Sequence, residues 1–101
     1  MKEELQDLID LLHERKCSCV LRNGEIYTFE RRGVEDLYAL LREQSGLLLG
    51  ADVADKVVGK GAAALMVLGR VRRVYADVLS EPAYGLLFQT GISVSYGRLV
   101  S

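Results

Sequence analysis

Two lysines four residues apart, Lys56 and Lys60, stand near the head of the stretch "GADVADKVVGKGAAALMVLG", Gly50 to Gly69. The small and apolar residues around them predict a buried helix over about Asp55 to Leu68. Both lysines then fall in its first turns and share a face. A helix start carries partial positive charge and favours acids there, not lysines. Anion binding gives the pair a use, with backbone N–H groups and a lysine holding the charge. The plainer reading is that Asp52, Asp55 or Glu81 pairs with the lysines, or that they reach solvent. In the first reading Lys56 touches the anion, or acts as nucleophile or base if desolvation lowers its pKa. Asp55 caps the helix and orients Lys56.

Three residues downstream complete the candidate set. Asp77 lies near the end of a mostly apolar stretch and needs a partner, with Lys56 or an arginine the obvious one. Ser80 reads as a helix cap before a nucleophile, because no histidine is near it in sequence. Glu81 suits the first turn of a helix on dipole grounds alone. The ligand-binding candidates are therefore Asp55, Lys56, Lys60, Asp77, Ser80 and Glu81, and Lys56 is the catalytic candidate. Gly59, Gly61 and Ala62 to Ala64 add a further signal. A glycine inside a helix costs up to about 1 kcal/mol relative to alanine, so something is expected to lie close to the backbone there. "GKG" resembles the end of a phosphate-binding loop, but that motif needs glycine at Ala54 and Ser or Thr at Gly61, after a strand. It is rejected.

Other chemistry-bearing residues read more blandly. Cys17 and Cys19 are two apart, too close for an unstrained disulfide. They suit a reduced, cytoplasmic setting, and buried cysteine is a common small core residue. His13 reads as a surface residue on a polar helix face. Tyr27, Tyr75, Tyr84 and Tyr96 suit core or rim. Glu30 to Arg32 reads as a solvated loop from which Arg31 or Arg32 could help hold a phosphate.

The elements that must position these residues follow from periodicity. Leu5, Leu8, Ile9 and Leu12 mark an amphipathic helix over about Lys2 to Glu14. "CSCVLRNGEIYTF" predicts a hairpin turning at Asn23-Gly24. Val34, Leu37, Leu40 and Leu41 mark a second helix ending near Gly46, and the Asp55 to Leu68 helix follows. "RRVYADVLS" predicts a strand covered on both faces. "SEPAYGLLFQTG" predicts a helix capped by Ser80, with Pro82 in its first turn and Gly91 at its end. "ISVSY" predicts a last short strand, parallel to its neighbour through the crossover. The predicted order is α-β-β-α-α-β-α-β, a mixed sheet with helices on both faces.

Bulk properties set outer limits. The 101 residues suit one domain with one core. The charge balance of 13 basic and 14 acidic residues gives no electrostatic footprint for duplex nucleic acid, though a local patch could still hold a nucleotide. The longest strongly apolar run, Gly61 to Gly69, has nine residues, against roughly 20 needed to span a membrane. The start, "MKEELQDLIDLLHERK", is amphipathic and acidic, so no signal peptide is expected. A single proline, Pro82, leaves little room for a linker, and no repeat is visible.

At "ADVADKVVGKGAAALMVLGRVRRVYADVLSEPA" the sequence resembles the domain of unknown function 1893 family. The "DKVVGKGAAAL" segment, the "VYADVLSEPA" turn and "GISVSY" carry the resemblance, and the hairpin and "RGVEDLYALL" fit it. These are small bacterial proteins, and the resemblance implies a cytidine deaminase-like fold, a three-layer α-β-α sandwich with a mixed sheet. Zinc deaminases start one helix with a His or Cys ligand and a catalytic Glu, and the next with P-C-x-x-C. "SEPAYGL" would align with the second motif, but Ala83 and Leu86 stand where the cysteines belong. The first motif would fall within "VADKVV", which has no histidine. Three zinc ligands cannot be assembled, so no metal and no cofactor is expected. Family members often run on with a polar, cysteine-containing segment, whereas this sequence stops at "SYGRLVS". The resemblance then implies either a short member or a missing end.

The leading functional expectation is a metal-free, deaminase-like domain that binds a small anionic ligand, a nucleotide or a phosphorylated metabolite. The ligand would sit where helix starts at Asp55-Lys56 and Ser80-Glu81 converge, at the C-terminal ends of strands. The alternative is a degenerate deaminase fold retained as an interaction or regulatory module. Its lysines would form salt bridges and its apolar faces would serve a partner or a homodimer.

Overall fold

A computed structural model of the chain describes residues 5–31 and 34–101. Among the described residues the first helix is α1, Gln6–Glu14, which buries Leu8 and Leu12 at helical spacing; the expected start at Lys2 lies outside the described residues. Strands β1, Cys19–Asn23, and β2, Glu25–Phe29, form the hairpin. Gly24 turns it at φ +78°. Among the described residues only Arg70 has positive φ without being glycine, so Asn23 contributes differently. Its side-chain amide donates to the carbonyls of Gly46, Leu47 and Leu49 at 3.2, 3.0 and 3.0 Å, tying the hairpin to the turn after the second helix. That helix, α2, spans Glu35–Glu43, and a 3₁₀ turn follows at Ser45–Leu47.

The next segment departs from the predicted long helix. Asp52–Val58 is a strand, β3, and the helix, α3, spans only Lys60–Gly69. The β-branched Val53, Val57 and Val58 favour extended backbone. Then come β4, Arg73–Ser80, helix α4, Glu81–Gln89, and β5, Ser93–Val100. The described residues form a mixed α/β fold with four helices and a five-stranded sheet in the order β2-β1-β3-β4-β5. β3 pairs antiparallel with β1 and parallel with β4, and β4 pairs parallel with β5. A strand therefore lies at the centre of the sheet where the sequence pattern placed a helix start.

Two apolar clusters hold the elements together. Leu8 and Leu12 of α1 pack with Val20 of β1 and Ala54 of β3. The larger cluster takes the neighbouring strand positions Cys19, Leu21 and Val53, which alternation turns to the other side of the sheet, and joins them to Leu37 of α2, Met66 of α3 and Leu87 of α4. The close backbone approach expected near Gly59 and Gly61 occurs instead at Gly69. A Cβ built on Gly69 would lie 2.6 Å from Leu48 Cδ1, whereas Gly59 has open space and Gly61 meets only Val34 Cγ1 at 3.7 Å.

Asp52 is 2% exposed and anchors the opposite end of β3 from α3. Arg73 and Arg72 each reach both of its oxygens, at 2.8 to 3.2 Å, and Arg22 reaches Oδ2 at 3.2 Å. Burial alone would raise this carboxyl. The hydrogen bonds from Arg73, Arg72 and Arg22 outweigh it and hold the group well below the usual carboxylate range. Among the described residues, no helix is long and apolar enough to cross a membrane.

Candidate functional site

A cavity of about 670 Å³ opens where β3 gives way to α3. Asp55, Lys56 and Val57 of β3 line it, with Gly59 and Gly61 at the start of α3. Ala62 of α3, Ser18, just before β1, and Val34, just before α2, complete the wall. The lining is mainly apolar with a few polar groups, the character of small-molecule sites.

The helix start facing this cavity is chemically bare. α1 and α2 carry Asp7, Glu35 and Asp36 in their first turns, and α4 has both Glu81 and a side-chain cap. α3 has no acid in its first turn and no side-chain cap, and its N-cap is Gly59. Its first backbone N–H groups have no intrahelical partner, and neither glycine puts a side chain over them. Lys60 is the first helical residue. The mismatch between lysine and dipole therefore holds for Lys60. It does not hold for Lys56, which lies on β3, and the two share no helix face.

Asp55 is a strand residue and not a helix cap. It is 6% exposed. Its Oδ1 accepts from the Val57 N–H at 3.3 Å. The Cys19 thiol, its register partner on β1, also donates to it. Among the described residues no lysine, arginine or histidine makes an ion pair with Asp55. Burial pushes this carboxyl up to about 7, against hydrogen bonds from Val57, Lys56 and Cys19 that act to lower it. Burial and the nearby Asp55 push the Cys19 thiol well above its ordinary value, so it stays protonated as a donor. A buried carboxyl poised near neutrality in an open cavity marks a candidate for binding or proton transfer.

The other predicted residues separate from this group. Among the described residues neither Lys56 nor Lys60 makes an ion pair, and both are exposed. Asp52, one of their expected partners, is taken by arginines. Among the described residues Asp77 meets neither Lys56 nor an arginine. Its Oδ1 lies 2.7 Å from His13 Nε2 on α1 and accepts from the Tyr75 hydroxyl at 2.8 Å. The Tyr75 phenol is pushed up to about 12 by burial and by this carboxylate. Ser80 Oγ accepts the Ala83 N–H at 3.2 Å and caps α4. α3 and α4 do follow the C-terminal ends of adjacent parallel strands, yet neither Ser80 nor Glu81 lines the cavity. Arg31 lies 3.6 Å from Asp36, and Arg32 falls outside the described residues. No three His, Cys, Asp or Glu side chains gather as metal ligands among the described residues.

Comparison with known proteins places the chain. The family described as Domain of unknown function (DUF1893) matches residues 7–101. The chain belongs to the DUF1893 family. Its fold is similar to the crystal structure of a DUF1893 family protein from Thermotoga maritima, at 25% identity and a TM-score of 0.86. That match covers 99% of this chain and 69% of the other. No curated protein matches.

Within this DUF1893 chain, sequence reasoning missed the partnership of Cys19 with Asp55 and the role of Ser18. Strand alternation over "CSC" would have misled, since Cys17 packs with Val20 and Ala54 while Cys19 packs with Leu21 and Val53 in the other cluster, and β1 begins only at Cys19. The strand before "GKG" was an available signal. β3, Gly59 and α3 do form a strand-glycine-helix turn, although Ala54 and Gly61 still break the phosphate-loop pattern.

Proposed function

We propose that this DUF1893 chain binds a small ligand bearing an anionic group, a nucleotide or a phosphorylated metabolite, in the cavity between β3 and α3. One observation carries the reading: the uncapped start of α3 opens onto a cavity that contains Asp55 and Lys56. The N–H groups of Lys60, Gly61 and Ala62 would hold the anion. Lys56 would add charge from the rim, and the apolar wall would take the rest of the ligand. Reading the two clusters as separate layers makes the fold a three-layer α-β-α sandwich of the cytidine deaminase kind. In that alignment the first zinc motif moves from "VADKVV", a strand, to the α3 start, where Lys60, Gly61 and Ala62 stand. The second falls on Pro82, Ala83 and Leu86. These residues do not fit a zinc ion, and no step is routed through one.

The test is thermal shift of the purified chain with phosphates, nucleosides and nucleotides, beside Lys56→Ala. Saturation at 100 times the dissociation constant adds about 2.7 kcal/mol of stability. A shift in the wild type that shrinks in Lys56→Ala supports the site. No shift with any compound overturns it.

A specific observation favours the alternative, an interaction or regulatory module. Tyr84 stacks on Phe88 at 5.8 Å and meets Tyr96 edge-on at 6.0 Å. Phe88 is 65% exposed, and β5 beside it is an open sheet edge. A dimer in solution that Phe88→Ser disperses would support that reading.

A further inference from the structure

The position of Asp55 bears on how such an anion would bind. The carboxyl is buried, lines the same cavity as the α3 start, and has no cation in ion-pair contact among the described residues. An anion beside a buried, ionised carboxyl is repelled by it, and protonation of the carboxyl removes the repulsion. We infer that the cavity takes up its anion together with one proton, and that Asp55 is the group that accepts the proton. This rests on the anion-binding reading above and adds its regulation: occupancy falls as pH rises.

The surrounding groups leave Asp55 as the acceptor. Cys19 on β1 already gives its proton to the pair as a hydrogen-bond donor. Cys17, before β1, is raised by burial and is protonated at neutral pH. Asp77 on β4 adds negative charge and is engaged by His13 of α1 and Tyr75. Asp36 of α2 pairs with Arg31. Lys56, on the same strand, is exposed. The unliganded carboxyl is already close to neutral pH, and a bound anion pushes it higher. Affinity is then flat below about pH 7 and weakens by up to tenfold per pH unit above it.

Sulfate is the probe, because its own charge is constant across this range. Its binding to the full chain would be measured by calorimetry from pH 6 to 8.5, and at pH 7.5 in two buffers of different ionisation enthalpy. The expected result is proton uptake approaching one per sulfate and affinity falling above pH 7. Asp55→Asn, a neutral isostere, should bind sulfate with the pH dependence removed. Lys56→Ala should bind more weakly with the dependence kept. Sulfate binding that is independent of pH, without proton uptake, overturns the coupling and leaves the anion site standing. So does a dependence that persists in Asp55→Asn or disappears in Lys56→Ala. No sulfate binding to either wild type or Asp55→Asn at any pH overturns the anion site and the coupling with it. The two-buffer measurement needs only the wild type, so the test survives a variant that fails to fold.

Discussion

Cys19 and Asp55 face each other across the antiparallel pairing of β1 and β3, and the thiol donates to the carboxyl. The pair differs from Asp52, three residues earlier on the same strand, which is surrounded by three arginines. One strand thus holds two buried carboxyls with opposite electrostatics. Asp52 is held ionised by positive partners, whereas Asp55 is held near its titration point by burial without them.

The Asp55 carboxyl is raised when folded, so its contribution to stability is fully present below about pH 4 and is lost as pH rises through about 7. Asp55→Asn removes that loss. Urea denaturation should show little difference at pH 4 and a variant more stable than wild type at pH 8, by on the order of 4 kcal/mol. Equal stability at both values would show that Asp55 does not titrate in this range.

Asp52 has the opposite sign. Its folded pKa is depressed, so its contribution is present above about pH 4 and is lost as pH falls further toward the folded value. Asp52→Asn removes the buried carboxylate that Arg22, Arg72 and Arg73 share. The expected cost is on the order of 3 kcal/mol at pH 7, toward the lower end for a broken buried pair because Arg72 is 56% exposed. Chemical denaturation at pH 7 and at pH 3 measures it, and the difference between variant and wild type should narrow in acid.

Gly69→Ala drives a methyl group into Leu48, whose Cβ and Cδ1 lie 2.7 and 2.6 Å from the new atom. Leu48 is fully buried, so overpacking should cost about 1–3 kcal/mol. Gly61→Ala meets only an ordinary contact and should be neutral or stabilising. Thermal denaturation of the two variants side by side would show whether close packing lies where the geometry puts it.

Ser80→Ala removes the cap from α4 and leaves the Ala83 N–H without its acceptor. A loss of about 1 kcal/mol is expected, with Ser80→Asp retaining most of the stability. Denaturation midpoints of the two variants check this. A large effect on ligand binding by Ser80→Ala would instead put Ser80 in the site.

Local signals carried much of this fold. Ser80, Pro82 and Gly91 bracket α4 through a cap, a first-turn proline and a left-handed glycine, all within a few residues. Leu8 and Leu12 mark α1, and the crossover predicted the parallel β4–β5 pair. β3 was illegible because its burial is satisfied from far away. A central strand is expected to be apolar, and Asp52, Asp55 and Lys56 break that pattern. Only the folded chain brings Arg22 from β1 and Arg72 and Arg73 from beyond α3 around Asp52. Asp77 teaches the same lesson, since its partner His13 is 64 residues away. Of the predicted site residues, Asp55 and Lys56 line the cavity, and the reason given for choosing them, a helix start, belongs to Lys60.

The placement of the two aspartates on β3 also bears on descent. Three residues of strand span about 10 Å, and alternation turns Asp52 and Asp55 to opposite sides of the sheet. Substitutions at such separations tend to act independently. A lineage built on this chain can therefore retune what its cavity accepts, residue by residue around Asp55, while the arginine-bound end of the same strand is inherited unchanged and keeps the frame in register.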